Sequence, residues 1–426
     1  MKIELPYGNE RVKFELPESS FIGMVDPPRI QESQNPEEEI LYAITHPFGG
    51  KTLEEIIFPE KKIALIVDDG SRPTPVSQIL PVIIRKMLEC GAKKENIKIV
   101  VALGSHRYMT EDELRQRVGT EIYENYPVMN SEFQDSKKLV YVGDTAEGAP
   151  IMATAEIMTA DIRIGIGNLV PHPVMGWGGG GKILYPGVAG EDTVSYFHLK
   201  ASLIDENMFG RNTTPIRDMM EGWVDSIGLD FIINTILTPD MKIYRVVAGD
   251  YILAHREGVE IGKRILGSKI SEKANVVIVS SHPADQDFWQ SPKALYGAEP
   301  ILKGSRGGTM ILVSPNYEGI GPHPEYPEYM ARDDGDTIVK EYISGKKKSG
   351  DRLAIAVGNS MSKLRRRRKL VVVSDGVTEE EMTRCGCIYY PLSELQKAIN
   401  DSLLEYKDCR VAVLSNGADT FLYEGE

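Results

Sequence analysis

The chain has 426 residues, 42% of them hydrophobic, and a formal net charge of −13 from 49 basic and 62 acidic side chains. That length exceeds one ordinary core and predicts two. The acidic balance argues against nucleic acid or an anionic membrane surface as partner, since either needs a basic field.

Met1 is followed by Lys-Ile-Glu-Leu-Pro, with no apolar core of signal-peptide length, and no stretch is apolar enough to span a bilayer. A cytoplasmic location without a membrane partner is therefore expected. From Lys61 the pattern is strand, loop, helix, repeated. Residues 63–67 (Ile-Ala-Leu-Ile-Val) are a continuous apolar run of the buried parallel-strand type, ending on Asp68-Asp69-Gly70. Thr74-Pro75 suits a helix start, and Val82, Ile83 and Met87 carry that helix to Cys90, with Gly91 as its stop. A second strand, 97–102, ends on Gly104-Ser105-His106, and a third, 161–166, leads to Asn168 and His172. Three strands thus release Asp69, Arg72, His106 and His172 from their C-terminal ends, the edge at which open α/β sheets bind ligands.

A helical pattern around 252–270 runs to Gly267, and a second series opens with an apolar strand over 274–280 that ends near His282. Residues 312–324 form a rigid Gly/Pro-rich loop after a strand. The apolar runs 353–357, 370–373 and 411–414 read as further strands, and the basic run Arg365-Arg-Arg-Arg-Lys369 as a solvated helix face or helix end. The expected fold is α/β in two domains, 1–266 and 267–426. Each has a mostly parallel sheet with flanking helices, and the active site lies in the cleft between them. The cysteines, Cys90, Cys385, Cys387 and Cys409, lack zinc-site spacing and read as reduced and structural.

The chemistry concentrates around four consecutive glycines, 178–181, that end on Lys182, with His172 before them and His198 sixteen residues after the lysine. Such a run lets backbone approach a ligand closely. Gly176-x-x-x-x-Gly181-Lys182 matches most of a phosphate-binding P-loop. Ile183, however, stands where a hydroxyl should hold magnesium, and Pro186-Gly187 opposes a long helix starting there. Asp69-Gly70-Ser71-Arg72 occupies a strand-to-helix turn whose backbone N–H groups suit an anion. Arg72 offers a planar fork for a carboxylate or phosphate, unless it merely pairs with Asp69 to fix the loop. Gln290-Ser-Pro-Lys293 adds an amide and a point charge. His106 and His172 carry the one side chain whose unperturbed pKa lies near neutrality, which suits acid–base work.

Together these motifs, in this order, resemble the nickel-dependent lactate racemase family, whose members carry a nickel-pincer nucleotide on a lysine. The resemblance runs from the strand before Asp69 to at least Lys293 and thins after about Tyr326. It implies an isomerase, a racemase or epimerase of a small 2-hydroxy acid working by reversible hydride transfer, with His106 and His172 as alternating acid and base. The cofactor, nickel pyridinium-3,5-bisthiocarboxylic acid mononucleotide, would be attached to Lys182, with His198 as the protein ligand of the nickel. One imidazole is too little for a metal site built from protein alone, and enough when the cofactor brings the other donors. The resemblance further implies that Arg72, Gln290 and Lys293 hold the substrate, and that the turn of Asp69, Gly70, Ser71 and Arg72 touches the cofactor. Separate cofactor-maturation enzymes become partners, for a chain that is a monomer or homodimer.

Two other functions compete. A dehydrogenase with a free nucleotide needs a G-x-G-x-x-G turn, which Ile164-Gly-Ile-Gly-Asn-Leu-Val does not complete. A non-catalytic small-molecule-binding homologue needs none of this residue set intact. His282 lines the pocket or caps a helix, His323 reads as structural or exposed, and Trp289 as pocket wall or packing. Loops around Trp289, Tyr296 and 316–321 would select the substrate's substituent.

Overall fold

In a computed structural model, which describes residues 1–104 and 106–424, the chain builds two six-stranded sheets. Across the first the order is Ile243–Gly249, Phe231–Leu237, Ile162–Asn168, Ile63–Asp68, Ile97–Ala102 and Val128–Asn130. Only the pair Ile243–Gly249 and Phe231–Leu237 is antiparallel. Across the second the order is Ile388–Tyr390, Lys369–Val373, Thr309–Val313, Val276–Ser280, Val411–Leu414 and Phe21–Met24, all parallel. The fold is α/β, with parallel-dominated sheets and flanking helices.

Central strands explain their own sequences. Ile63–Asp68 and Phe231–Leu237 are buried at every position, because helices cover both faces, so no polar alternation survives. The helix Val76–Glu89 turns Ile79, Leu80, Ile83 and Met87 into the core, and its first turn lies directly beyond the end of Ile63–Asp68. The helix Leu253–Leu266 ends at Gly267, where the spacing predicts its stop.

Three features depart from the sequence reading. Residues 353–357 are not a strand but open the helix Arg352–Arg367, capped by Asp351, whose carboxylate accepts from the amides of Leu353 and Ala354. Leu353, Ala354, Ile355 and Ala356 are all buried, since this helix packs on Glu191–Ser202, Tyr326–Ala331 and Gly335–Ile343. A helix covered on most sides loses its periodic pattern and reads as a strand. The basic run does lie at that helix's end, yet it is not simply solvated: Arg367 and Arg368 converge on Glu299, and Arg368, 7% exposed, also donates to the carbonyls of Gly304 and Gly307. Finally, the hairpin Lys2–Tyr7 and Glu10–Glu15 and the strand Phe21–Met24 pack with the second sheet, so the chain's start returns to elements near its end.

All four cysteines are free. Among the described residues no helix is long and apolar enough to cross a membrane.

Candidate active site

Ile97–Ala102, Ile63–Asp68 and Ile162–Asn168 are neighbours in the first sheet, so the residues that follow them emerge side by side. They open into a cavity of about 200 Å³, walled on its other side by residues of the 289–296 segment and the helix Arg352–Arg367. Asp69, Arg72, His106, His172, Lys182, His198, Gln290 and Lys293 all line this one cavity. Gly70 and Ser71 face an adjoining space of about 600 Å³ that also meets Asp69, His106 and Gln290.

Asp69 and His106 are coupled. The carboxylate Oδ2 is 2.5 Å from His106 Nδ1, and its Oδ1 accepts from the Ser71 hydroxyl at 2.7 Å. Burial pushes Asp69 up, but the His106 and Arg72 charges win and hold its carboxyl well below the usual range. Burial lowers His106, against the pull of Asp69, so imidazole beside carboxylate is the state near neutrality. On the other ring nitrogen, the Gln290 side-chain amide lies 2.8 Å from His106 Nε2, and Lys293 Nζ donates to the Gln290 carbonyl. A chain of four side chains thus crosses the cavity from one sheet to the other. The Asp69 carboxylate is engaged by His106, and Arg72 makes no ion pair or side-chain hydrogen bond among the described residues. Its guanidinium is available to an anion.

The glycine run wraps Lys182. Gly179 and Gly180 sit at φ +69° and +63°, where a side chain is strained, and a Cβ at Gly180 would stand 2.9 Å from the His255 ring. Three buried polar side chains grip the loop. Asn234 Oδ1 accepts from the Gly180 amide at 2.7 Å, His255 Nε2 is 2.9 Å from the Gly178 carbonyl, and Arg217 donates to the carbonyls of Met175 and Trp177. Arg217 is wholly buried and also meets Glu221, which Arg256 holds from its other side. Among the described residues nothing accepts from Lys182 Nζ. Burial, with the Arg72 charge beside it, brings this amine down to about 7.

His172 and His198 differ in what fixes them. The amides of Val174 and Met175 both donate to His172 Nδ1 at 3.2 Å. His198 Nδ1 lies 2.8 Å from the Val194 carbonyl, one helical turn back in Glu191–Ser202, so that nitrogen carries the proton and Nε2 keeps its lone pair. Burial drives His172 well below its ordinary value, with Lys182, Lys293 and Arg72 adding to the effect. It brings His198 to about 4, against the pull of the Val194 carbonyl.

The remaining three residues separate. Trp289 lines the cavity, its ring tilted against that of His323 at 4.3 Å, and His323 Nδ1 pairs with Asp351 at 2.7 Å. His282 pairs with Asp285 at 3.0 Å and is not a wall of the cavity. Sequence reading missed Arg117, which donates to the carbonyls of Asp68, Arg72 and Thr74 and to the Asp68 carboxylate, fastening the whole 68–74 turn. It also missed Asn234, Arg217 and His255. Of these, only Asn234 stands out in sequence, as a polar residue in a strand buried at every position.

Residues 7–209 match the family model described as the lactate racemase N-terminal domain. The chain is 27% identical over 351 residues to a lactate racemase of Thermoanaerobacterium thermosaccharolyticum, covering 80% of this chain and 81% of the relative. It is 28% identical over 348 residues to one of Lactiplantibacillus plantarum, with the same coverage. In three dimensions it superposes on the lactate racemase apoprotein of T. thermosaccharolyticum with a TM-score of 0.85 at 24% identity, over 99% of this chain and 100% of the other. A protein of Thermotoga maritima has the same fold, with a TM-score of 0.72 at 17% identity over 93% and 100%. An α/β enzyme with three half-buried imidazoles and an unpaired amine in one cavity, and with these relatives, is an isomerase of the racemase class. Over its N-terminal domain and most of its length the chain is similar to the lactate racemase family.

Proposed function

We propose that this chain racemises or epimerises a small 2-hydroxy acid, lactate or a close relative, using a nickel-pincer nucleotide carried on Lys182. The observation that carries the reading is an unpaired amine, brought by burial to about 7, in the same cavity as His106, His172 and His198. The residues fit the group. Attachment needs an amine free of partners, and Lys182 meets that requirement. A metal there must take most donors from outside the protein, since among the described residues no group of three or more His, Cys, Asp or Glu side chains is arranged to hold one. His198 supports a single protein ligand, its Nε2 lone pair free and its ring oriented through Nδ1. When bound, the group would accept a hydride from the substrate's C2 and return it to either face.

The chain's own residues do the rest. Arg72 suits the substrate carboxylate in two bonds, and Lys293 orients Gln290 from the side of the second sheet. His106, backed by Asp69, takes the hydroxyl proton at Nε2, and His172 serves the opposite face. The aromatic wall at Trp289 helps exclude water. In the Asp69–Arg72 turn the amides of Ser71 and Arg72 are taken up by Asp69, which leaves the Gly70 amide for the nucleotide's phosphate. Maturation enzymes would supply the cofactor.

The test is chiral chromatography of protein co-produced with such enzymes, fed one lactate enantiomer in D2O. Inversion without deuterium at C2 supports hydride transfer, because a carbon-bound proton lost to a base would exchange with solvent. Reduction of a free nucleotide instead would transfer the reading to a dehydrogenase.

A further inference from the structure

The two acid–base histidines are held by groups of opposite hydrogen-bonding character, and that fixes where each ring carries its proton. Around His106 the partner of Nδ1 decides. Asp69 is an ionised carboxylate, an acceptor only, so His106 Nδ1 at 2.5 Å carries the proton. At the other nitrogen, Lys293 Nζ donates to the Gln290 carbonyl, which leaves the amide N–H facing His106 Nε2 at 2.8 Å. His106 Nε2 is therefore an acceptor. At His172 the constraint is reversed: Val174 and Met175 present backbone N–H groups to Nδ1, each at 3.2 Å, and these are donors only. The proton of neutral His172 sits on Nε2.

We infer that His106 and His172 begin turnover as complementary tautomers, the first an acceptor at Nε2 and the second a donor at Nε2. The resting chain then receives one enantiomer directly, and the 172–175 turn must re-pair before it receives the other. This rests on the racemase reading and divides its labour. For the enantiomer whose hydroxyl faces His106, the O–H proton moves to His106 Nε2, giving an imidazolium whose Nδ1–H stays on the Asp69 carboxylate. The bound cofactor would supply the acceptor for the C2 hydrogen and its electron pair as the C–O bond becomes C=O. In this half-reaction His172 Nε2–H only donates a hydrogen bond; to protonate the oxygen on the opposite face it must first take a proton at Nδ1, displacing the Val174 and Met175 amides. For the opposite enantiomer, His172 must accept a proton at Nε2. That requires a lone pair there and a proton on Nδ1, which Val174 and Met175 now oppose. Their amides have to release Nδ1 first, so the turn Pro171–His172 to Gly176–Trp177 is the switching element. Asp69 is a positioning residue on this account, acting on substrate only through His106.

The experiment is nitrogen-15 NMR of the imidazoles in the full-length chain at pH 7. The chain has seven histidines, and His106→Gln and His172→Gln identify the two signals of interest. The expected result is His106 protonated at Nδ1 and His172 at Nε2, each at about ten to one or better, the bias one well-made hydrogen bond confers. In Asp69→Asn the His106 preference should weaken by several-fold while His172 is unchanged. The inference is overturned if His172 carries its proton on Nδ1, if both rings show the same tautomer, or if either is imidazolium at pH 7. Turnover separates this from the racemase reading. A chain that racemises with His172 protonated on Nδ1 sinks the asymmetry alone. One with the expected tautomers that never inverts a hydroxy acid once loaded sinks the reading beneath it.

Discussion

Lys182 offers the sharpest chemical prediction, because its amine titrates near 7 while an ordinary lysine titrates at 10.5. At pH 7 about half of Lys182 is the nucleophilic free amine, against about one part in 3,000 for an ordinary lysine. Its reactivity toward an acylating reagent at pH 7 should therefore exceed that of surface lysines by roughly 10³-fold before access is considered. The assay is brief acylation across pH 5–10 followed by peptide mass mapping, with the exposed Lys2 as internal reference. Half-maximal labelling of Lys182 near pH 7 is expected. Stability follows the same shift. The unfolded chain keeps this proton up to about 10.5 and the folded chain gives it up near 7, so stability rises with pH between those values. Lys182→Met should raise the unfolding midpoint, by more at pH 6 than at pH 9. Labelling of Lys182 in step with Lys2, or a midpoint unmoved by the substitution at both pH values, would refute the claim that burial strips this amine of its charge.

Other consequences are independent. His106→Ala and His172→Ala should each lower turnover by about 10²–10⁴-fold while leaving nickel bound, measured by chiral assay and metal analysis. Arg217→Met leaves the carbonyls of Met175 and Trp177 without their donor and weakens the hold on Glu221, and should cost about 3 kcal/mol in chemical denaturation. Gly180→Ala, strained at φ +63° and in contact with His255, should destabilise by about 2 kcal/mol or more and impair cofactor attachment, read by intact mass. His198 stays neutral down to about pH 4, so nickel retention by loaded protein should persist to mildly acid pH and fall only as that value is approached.

Much of the site was legible because parallel strands buried on both faces are uninterrupted apolar runs, and the residues that end them stand out. Ile63–Asp68, Ile97–Ala102 and Ile162–Asn168 announce Asp69, His106 and His172 in this way. The glycine run marks Lys182 for the same reason that it can wrap it. What the residues alone could not give was the partnership of Asp69 with His106, thirty-seven positions apart, or of His106 with Gln290 across the cavity. The expectation that Asp69 serves the cofactor did not foresee that its carboxylate faces His106. The supports of the loop were hidden because Arg217, His255 and Asn234 act on backbone carbonyls and amides, which carry no sequence signal. Residues 353–357 misled because a helix covered on most sides shows no polar face. The return of Phe21–Met24 to the second sheet is a long-range pairing that local pattern does not encode.

The central claim, a racemase whose lysine carries its cofactor, is tested most directly by intact mass with peptide mapping and nickel content, on protein co-produced with cofactor-maturation enzymes. The account predicts a stable adduct on Lys182 with about one nickel per chain, both lost in Lys182→Ala. An unmodified, nickel-free chain, under conditions that load a lactate racemase produced in parallel, would contradict it.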